Sequence, residues 1–245
     1  MRLLQLNAWT IRLATRIEDM VTKEAPDIIA LQEVFESNAD LGFFPTLTTL
    51  ADTLHFHHRY HSPVYAVQLM TSTPEFGNAI VSNLTLGNKQ AHFTNLAYNP
   101  SMSLENDDYN VRNFQHVTVK DQDGRKVHII NHHGYHVPGH KNGNDFTIKA
   151  CQQIADYARK LDGPVIITGD FNLLPDSESI EILNKDFRNL TKEYGLKTTR
   201  TDLTHKNEPC DFIFVNEKIK VNDFYASEVV ASDHQGLVLD FEIKD

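Results

Sequence analysis

Short apolar runs bounded by polar and turn residues recur along the chain, at Arg2–Leu6, Asp27–Leu31, Ala79–Val81, Val127–Asn131, Val165–Thr168, Phe212–Val215 and Leu237–Phe241. Runs of this length that do not alternate with polar residues mark strands covered on both faces. Between the first two, Ile17, Met20 and Val21 recur at helical spacing, and Pro26-Asp27 closes the segment. A second helix is predicted from about Asp145 to Leu161, with Cys151, Ile154, Ala155, Ala158 and Leu161 on one stripe and Asp162-Gly163-Pro164 ending it. The centre reads differently. Val117 and Val119 alternate, Asp123-Gly124 supplies a tight turn, and Val127 and Ile129 alternate again, which is a hairpin. Strand–helix–strand units together with a hairpin imply mixed sheets, in an α/β sandwich of two sheets with helices outside. No low-complexity linker or strong internal repeat interrupts the pattern, so residues 1–245 are read as a single domain. The polar stretch Ala97–Asn110 is either a solvated loop or the border of a site.

At 245 residues the chain buries roughly 70–75% of its unfolded surface and needs no disulfide or structural metal for stability. Its two cysteines, Cys151 and Cys210, form no C-x-x-C pair. That argues against a zinc ribbon or disulfide scaffold and for a reducing compartment. No stretch approaches the ~18 apolar residues of a membrane helix, and the N-terminus lacks the apolar core of a signal peptide. The expectation is a cytoplasmic protein with no transmembrane segment. The 23 Lys+Arg against 33 Asp+Glu leave a formal charge of −10, which opposes tight non-specific binding to a polyanion but leaves room for a local basic patch.

Polar chemistry enters where strands end. Leu3–Leu6 runs into Asn7, Ile28–Leu31 into Gln32-Glu33, Val127–Ile130 into Asn131-His132-His133, and Val165–Thr168 into Gly169-Asp170-Phe171-Asn172. Cys210-Asp211-Phe212 opens one strand, and Ser232-Asp233-His234 precedes another. Each taken singly is an ordinary turn or cap residue. Ligands of layered α/β proteins bind where strand ends converge, so the set together suggests one site. Asn7 and Glu33 offer hard oxygens suited to Mg²⁺ or Mn²⁺, and the histidines and aspartates can move protons. A rival cluster lies in Leu54–His61, where His55, His57 and His61 share one face of a strand and could hold zinc. Arg59 shares that face and no acidic partner lies nearby, so an exposed edge strand explains the run without metal. His136 and His140, in the Gly/Pro loop after His133, either touch substrate or face solvent.

In chain order, Leu6-Asn7-Ala8-Trp9, Leu31-Gln32-Glu33-Val34, Phe76-Gly77-Asn78-Ala79-Ile80, Asn131-His132-His133, Gly169-Asp170-Phe171-Asn172, Asp211-Phe212-Ile213-Phe214 and Ser232-Asp233-His234 resemble the endonuclease/exonuclease/phosphatase family, also called deoxyribonuclease I-like. The resemblance spans residues 3 to 241 and implies a four-layer sandwich of two mixed β-sheets flanked by helices, with metal-dependent phosphoester hydrolysis at one edge. It implies Asn7, Glu33 and Asp233 at a Mg²⁺ or Mn²⁺ ion. Asp170 would orient or deprotonate the attacking water jointly with His234, and Asn172 would donate to the phosphoryl group. His133 would be paired with Asp211. A carboxylate beside each imidazole is expected to favour the cation. Asn78 and Arg112 are candidate substrate contacts, with turn-amide and structural-arginine roles as their alternatives. The sequence departs from the family pattern at Cys210, where many relatives carry Arg, at His132, where Thr is common, and after Asn7, where a further acidic residue often stands in apurinic-site repair enzymes.

A phosphorylated small molecule is the favoured substrate, because the acidic chain shows no Lys/Arg cluster for a nucleic-acid groove. A nuclease on DNA or RNA is the alternative, and an inactive binding module of the same fold the remote one. No protein partner is predicted, and no hydrophobic hairpin for docking on lipid is evident.

Overall fold

A computed structural model describes residues 1–39, 42 and 45–244. In chain order the strands are β1 (Arg2–Asn7), β2 (Ile28–Glu36), β3 (His58–Ala66), β4 (Glu75–Ser82), β5 (Gly87–Phe93), β6 (Asn113–Lys120), β7 (Lys126–His133), β8 (Val165–Asp170), β9 (Arg188–Asn189), β10 (Asp211–Val215), β11 (Ile219–Ala226) and β12 (Leu237–Ile243). The helices are α1 (Ala14–Glu24), α2 (Leu47–Thr53), α3 (Asp145–Ala158), α4 (Glu178–Asn184) and α5 (Leu190–Glu193). α1 stops at Ala25, which takes the left-handed conformation just before Pro26. α3 starts at Asn144, whose side chain and that of Thr147 form a reciprocal capping box.

The strands form two six-stranded sheets, ordered β11-β12-β1-β2-β4-β3 and β5-β6-β7-β8-β10-β9. Only β1/β2 and β7/β8 pair parallel, each bridged by a helical crossover, and every other pair is antiparallel. Each sheet therefore has the same plan of an antiparallel pair, a βαβ unit and a second antiparallel pair. No sequence repeat betrays that duplication.

Alternation along the strands sends neighbouring residues to opposite faces. Leu3, Ile28, Ile129, Ile166, Ile213 and Leu239 meet between the sheets. Leu4, Leu6, Ile29 and Val238 face α1 and α2, while Ile130, Ile167, Phe212 and Phe214 face α3 and α4. Two covered faces per sheet give the four layers and explain the unbroken apolar runs. β3, β5, β9 and β11 had no such run because they are edge strands or short, with polar outer faces. β3 begins only at His58, so His55 and His57 precede the strand and cannot share a strand face with His61.

A polar seam crosses the apolar layer between the sheets toward the strand ends. Gln5 Nε2 donates to Gln32 Oε1 at 2.8 Å and to Asp211 Oδ1 at 3.0 Å. Gln32 Nε2 donates to Asn131 Oδ1 at 2.6 Å, and Asn131 Nδ2 to Gln115 Oε1 at 2.8 Å. All five residues are fully buried. Asp211 can only accept, so it sets the direction of the whole amide chain.

Candidate active site

Register assembles the site. His133 on β7 stands level with Asp170 on β8, which stands level with Asp211 on β10. Those three residues lie in one row across adjacent strands at the sheet end. From the other sheet, β1 delivers Asn7 and β2 delivers Glu33. Between Leu31 and Val34 the β2/β4 register slips, so Gln32 and Glu33 together face Asn78, and Glu33 adopts a left-handed φ of 55°. Such a bulge re-aims a side chain that the pleat would otherwise point elsewhere. Gly169 lets the rows close up: its φ is 141°, and a Cβ there would lie 1.8 Å from the His132 carbonyl oxygen.

Asp170 is the hub. Its Oδ1 accepts the Asn172 N–H at 2.8 Å. Its Oδ2 accepts from Asn7 Nδ2 at 3.1 Å and lies 3.5 Å from His234 Nε2 and 3.9 Å from His133 Nε2. Asn7 Nδ2 also donates to Glu33 Oε1 at 3.1 Å, and His133 Nε2 lies 3.7 Å from that oxygen. Burial pushes the Asp170 carboxyl up, but His234 and Arg200 outweigh it and hold it well below the usual range. Burial pushes the Glu33 carboxyl up despite the Asn7 hydrogen bond. Burial lowers His234 too, yet Asp211 and Asp170 together raise it above the ordinary histidine value. Burial, aided by Arg112, drives His133 well below that value.

These distances correct two expectations. Asp211 pairs with His234, its Oδ2 accepting from Nδ1 at 2.8 Å, and not with His133. Only His234 is favoured as a cation. His133 is neutral near pH 7, because its nearest carboxylates lie beyond hydrogen-bond distance and cannot offset desolvation.

The residues surround a pocket of about 480 Å³ lined by Glu33, Arg112, His133, Asp170, Asn172, Asp233 and His234 among others. Asn7 sits behind it, hydrogen-bonded to Glu33 and Asp170. Asp233 lines the same pocket as Glu33, its Oδ2 lying 3.4 Å from Arg200 Nη1. Asn172 uses its side chain on the Gly134 carbonyl and on Lys141 Nζ. Asn78 lies outside the pocket lining: it donates to Asn113 Oδ1 at 3.0 Å and braces the sheets opposite the bulge, so it is a structural amide. Arg112 does line the pocket, but its Nε donates to Gly134 O at 2.8 Å and its Nη1 to Tyr109 O at 3.0 Å and Val111 O at 3.1 Å.

Several pocket residues gave no sequence signal. Arg200 and Lys206, from the loop before β10, join Arg112, which the sequence had offered, so a local basic patch exists without a Lys/Arg cluster in the chain. Phe35, Tyr65 and Phe76 form an aromatic wall, with Tyr65 and Phe76 stacked at 4.9 Å. Leu104 and Tyr109 also line the pocket, so the polar stretch Ala97–Asn110 borders the site. Trp9 and Thr10 complete the rim in a turn with left-handed φ at Trp9, Thr10 and Ile11. That strain costs of order 1 kcal/mol per residue. His136 lines the pocket, whereas His140 does not. At the β3–β4 hairpin, Leu69 and Met70 are exposed, a small apolar tip that the sequence pattern had not disclosed.

Two donor sets bear on a metal. Asp170, Cys210, Asp211 and His234 place ligand atoms within 4.8 Å of one another and could hold an ion. However, Asp211 already accepts from Gln5, Thr199 and His234. Burial also pushes the Cys210 thiol well above its usual value, which keeps it protonated. Asn7, Glu33 and Asp170 fit better. Glu33 and Asp170 are hard oxygen donors beside the pocket, the partly exposed Glu33 carboxylate has an amide for its hydrogen-bond partner, and Asn7 would join them once its Oδ1, which here accepts the Trp9 N–H at 3.1 Å, turns toward the ion.

A family model for the endonuclease/exonuclease/phosphatase family matches residues 4–234. Among solved structures, an endonuclease/exonuclease/phosphatase from Beutenbergia cavernae DSM 12333 superposes with a TM-score of 0.78 at 19% identity, covering 100% of this chain and 72% of that one. A mannosyl-6-phosphatase from Bacteroides thetaiotaomicron VPI-5482 gives 0.68 at 17% identity over 99% and 100%. The human Nocturnin catalytic domain, solved with a bound sulfate anion, gives 0.69 at 18% identity over 100% and 93%. No curated protein matches the chain. At these identities the structural likenesses speak to the fold alone. No helix among the described residues is long and apolar enough to cross a membrane.

Proposed function

The chain belongs to the endonuclease/exonuclease/phosphatase family, and from that premise we propose that residues 1–245 act as a single cytoplasmic domain, a Mg²⁺- or Mn²⁺-dependent phosphoesterase hydrolysing a phosphorylated small molecule by in-line attack of water. The observation that carries this reading is the convergence of Asn7, His133 and His234 on one oxygen of Asp170 at the wall of one pocket, with Glu33 Oε1 held on the same Asn7 amide and facing the same His133 nitrogen.

Asn7, Glu33 and Asp170 would hold the cation, which when bound acts as a Lewis acid on the phosphoryl oxygens. Asp170 is too weak a base to keep a proton near pH 7. Its role is to accept a hydrogen bond from the attacking water and aim it, with Oδ1 pinned by the Asn172 N–H. His234, which Asp211 and Asp170 make more basic, keeps Nδ1 on Asp211 and turns Nε2 into the pocket beside Arg200 Nη1, where the phosphoryl group would sit. His133, neutral, serves as a hydrogen-bonding partner on the other side of Asp170. The pocket's size falls in the range of small-ligand sites, and the charge of −10 disfavours a long polyanion.

A nuclease is the second reading, favoured by the Phe35, Tyr65 and Phe76 wall on which a base could stack. Rates on sugar and inositol phosphates, bis-p-nitrophenyl phosphate, a single-stranded oligonucleotide and an apurinic duplex separate the two. The small-molecule reading expects turnover of a small ester that stops with EDTA and returns with Mg²⁺ or Mn²⁺. Faster cleavage of nucleic acid than of every small ester selects the nuclease. If no ester is cleaved and Glu33→Ala alters only binding to another protein, the fold serves as a binding module.

A further inference from the structure

We propose that Arg200 is the residue that grips the substrate's phosphoryl group, its guanidinium donating to the non-bridging oxygens from the pocket wall beside Asp170, Asp233 and His234. The proposal rests on the phosphoesterase reading and assigns a contact that the motifs do not include.

The two arginines of the pocket are in opposite situations. Arg112 uses Nε and Nη1 on three carbonyl oxygens and is part of the scaffold. Arg200 is 5% exposed, and its Nε is buried with no hydrogen-bond partner. Its Nη1 has one loose ion pair, to Asp233 at 3.4 Å, and otherwise meets His234 Nε2. A guanidinium cannot shed its proton, so a buried one with idle N–H groups lacks acceptors, and a planar fork of donors matches two oxygens of a phosphoryl group. The backbone is meanwhile well fixed: Arg200 N–H donates to Thr198 Oγ1 at 2.9 Å, and Arg200 forms a β-bridge with His234. The head group is thus held against His234, whose Nδ1 is committed to Asp211, so that Nη1 and His234 Nε2 meet each other at the pocket wall. An anionic oxygen placed there accepts from both.

The test is calorimetric titration of inorganic phosphate into metal-free protein, alongside kcat/KM on an ester that the wild type cleaves. Arg200→Ala should weaken phosphate binding by roughly tenfold or more, and Arg200→Lys, which keeps the charge but loses the fork, by less. Arg200→Ala should also lower kcat/KM by roughly 10²-fold. Circular dichroism and the thermal midpoint check folding, and if Arg200→Ala does not fold, Arg200→Lys and Arg200→Gln carry the comparison. Folded variants that bind phosphate as tightly as wild type overturn the proposal, as does wild-type protein that binds no phosphate. Undiminished turnover in these variants removes Arg200 and leaves the phosphoesterase reading intact. Arg200-dependent phosphate binding without turnover of any ester does the reverse.

Discussion

Asp211→Asn exchanges a carboxylate for an amide of the same shape at the residue that holds His234. Every hydrogen-bond partner of the Asp211 carboxylate is a donor: Thr199 Oγ1 at 2.6 Å, His234 Nδ1 at 2.8 Å and Cys210 Sγ at 3.7 Å on Oδ2, and Gln5 Nε2 at 3.0 Å on Oδ1. An amide nitrogen in either position therefore faces a donor. The less damaging placement turns it toward Gln5, whose own amide cannot rotate without giving up Gln32, and through Gln32 its bond to Asn131. Losing the charge on the His234 bond costs about 1.5–3 kcal/mol, and the mismatched donors at Gln5 cost about 1–3 kcal/mol. The sum, roughly 2.5–6 kcal/mol, brackets the usual cost of about 3–5 kcal/mol for breaking a buried pair. For a chain of this size that lowers the thermal midpoint by roughly 10 °C.

The pH dependence has a definite sign. His234 titrates above its unfolded value, so the stability contributed by its pair with Asp211 is fully present below about pH 6.5 and is lost as pH rises through the folded value. Urea melts should show the widest gap between wild type and Asp211→Asn at pH 6 and a narrower one at pH 9. Without Asp211, His234 loses its proton more readily, so the alkaline limb of kcat/KM moves to lower pH and turnover falls by ~10²–10⁴. An unchanged alkaline limb, or a stability gap that ignores pH, would refute the assignment of Asp211 to His234.

Glu33 titrates above its unfolded value because burial disfavours its charge, so the ionised carboxylate costs stability near neutral pH. Metal-free Glu33→Gln should melt no lower than wild type at pH 7 while losing more than ~10² in metal-dependent turnover, and a lower midpoint in a scan would contradict this. Asp170→Asn should slow turnover by ~10²–10⁴ and also move the His234 limb down, by less than Asp211→Asn does, since Asp211 contributes more to the raised value. A rate profile with an inflection between pH 6 and 7 that disappears in His133→Asn would contradict the neutral state of that imidazole. Gly169→Ala places a Cβ 1.8 Å from the His132 carbonyl oxygen and should destabilise by more than ~4 kcal/mol; soluble protein with a wild-type melting curve would count against that crowding.

The central strands could be read along the chain because each is covered on both faces, and that demand leaves an unbroken apolar run in any single segment. The family motifs at strand ends were legible for the same local reason: Asn7, Glu33, His133, Asp170 and His234 each follow or precede such a run within three residues. Edge strands β5 and β11 carry no such demand and left no mark, while β3 showed only as the histidine run at its start. What the tertiary structure alone decided is partnership. Asp211 went to His234 across 23 positions and not to His133, because the pairing depends on which strands lie side by side and in what register. The bulge that turns Glu33 inward arises from two strands mismatched by a residue, and Arg200 reaches the pocket from a loop without periodicity. Local pattern reports what one segment must hide from water, whereas the charge and hydrogen bonds of a buried group depend on neighbours that only packing brings within a few ångströms.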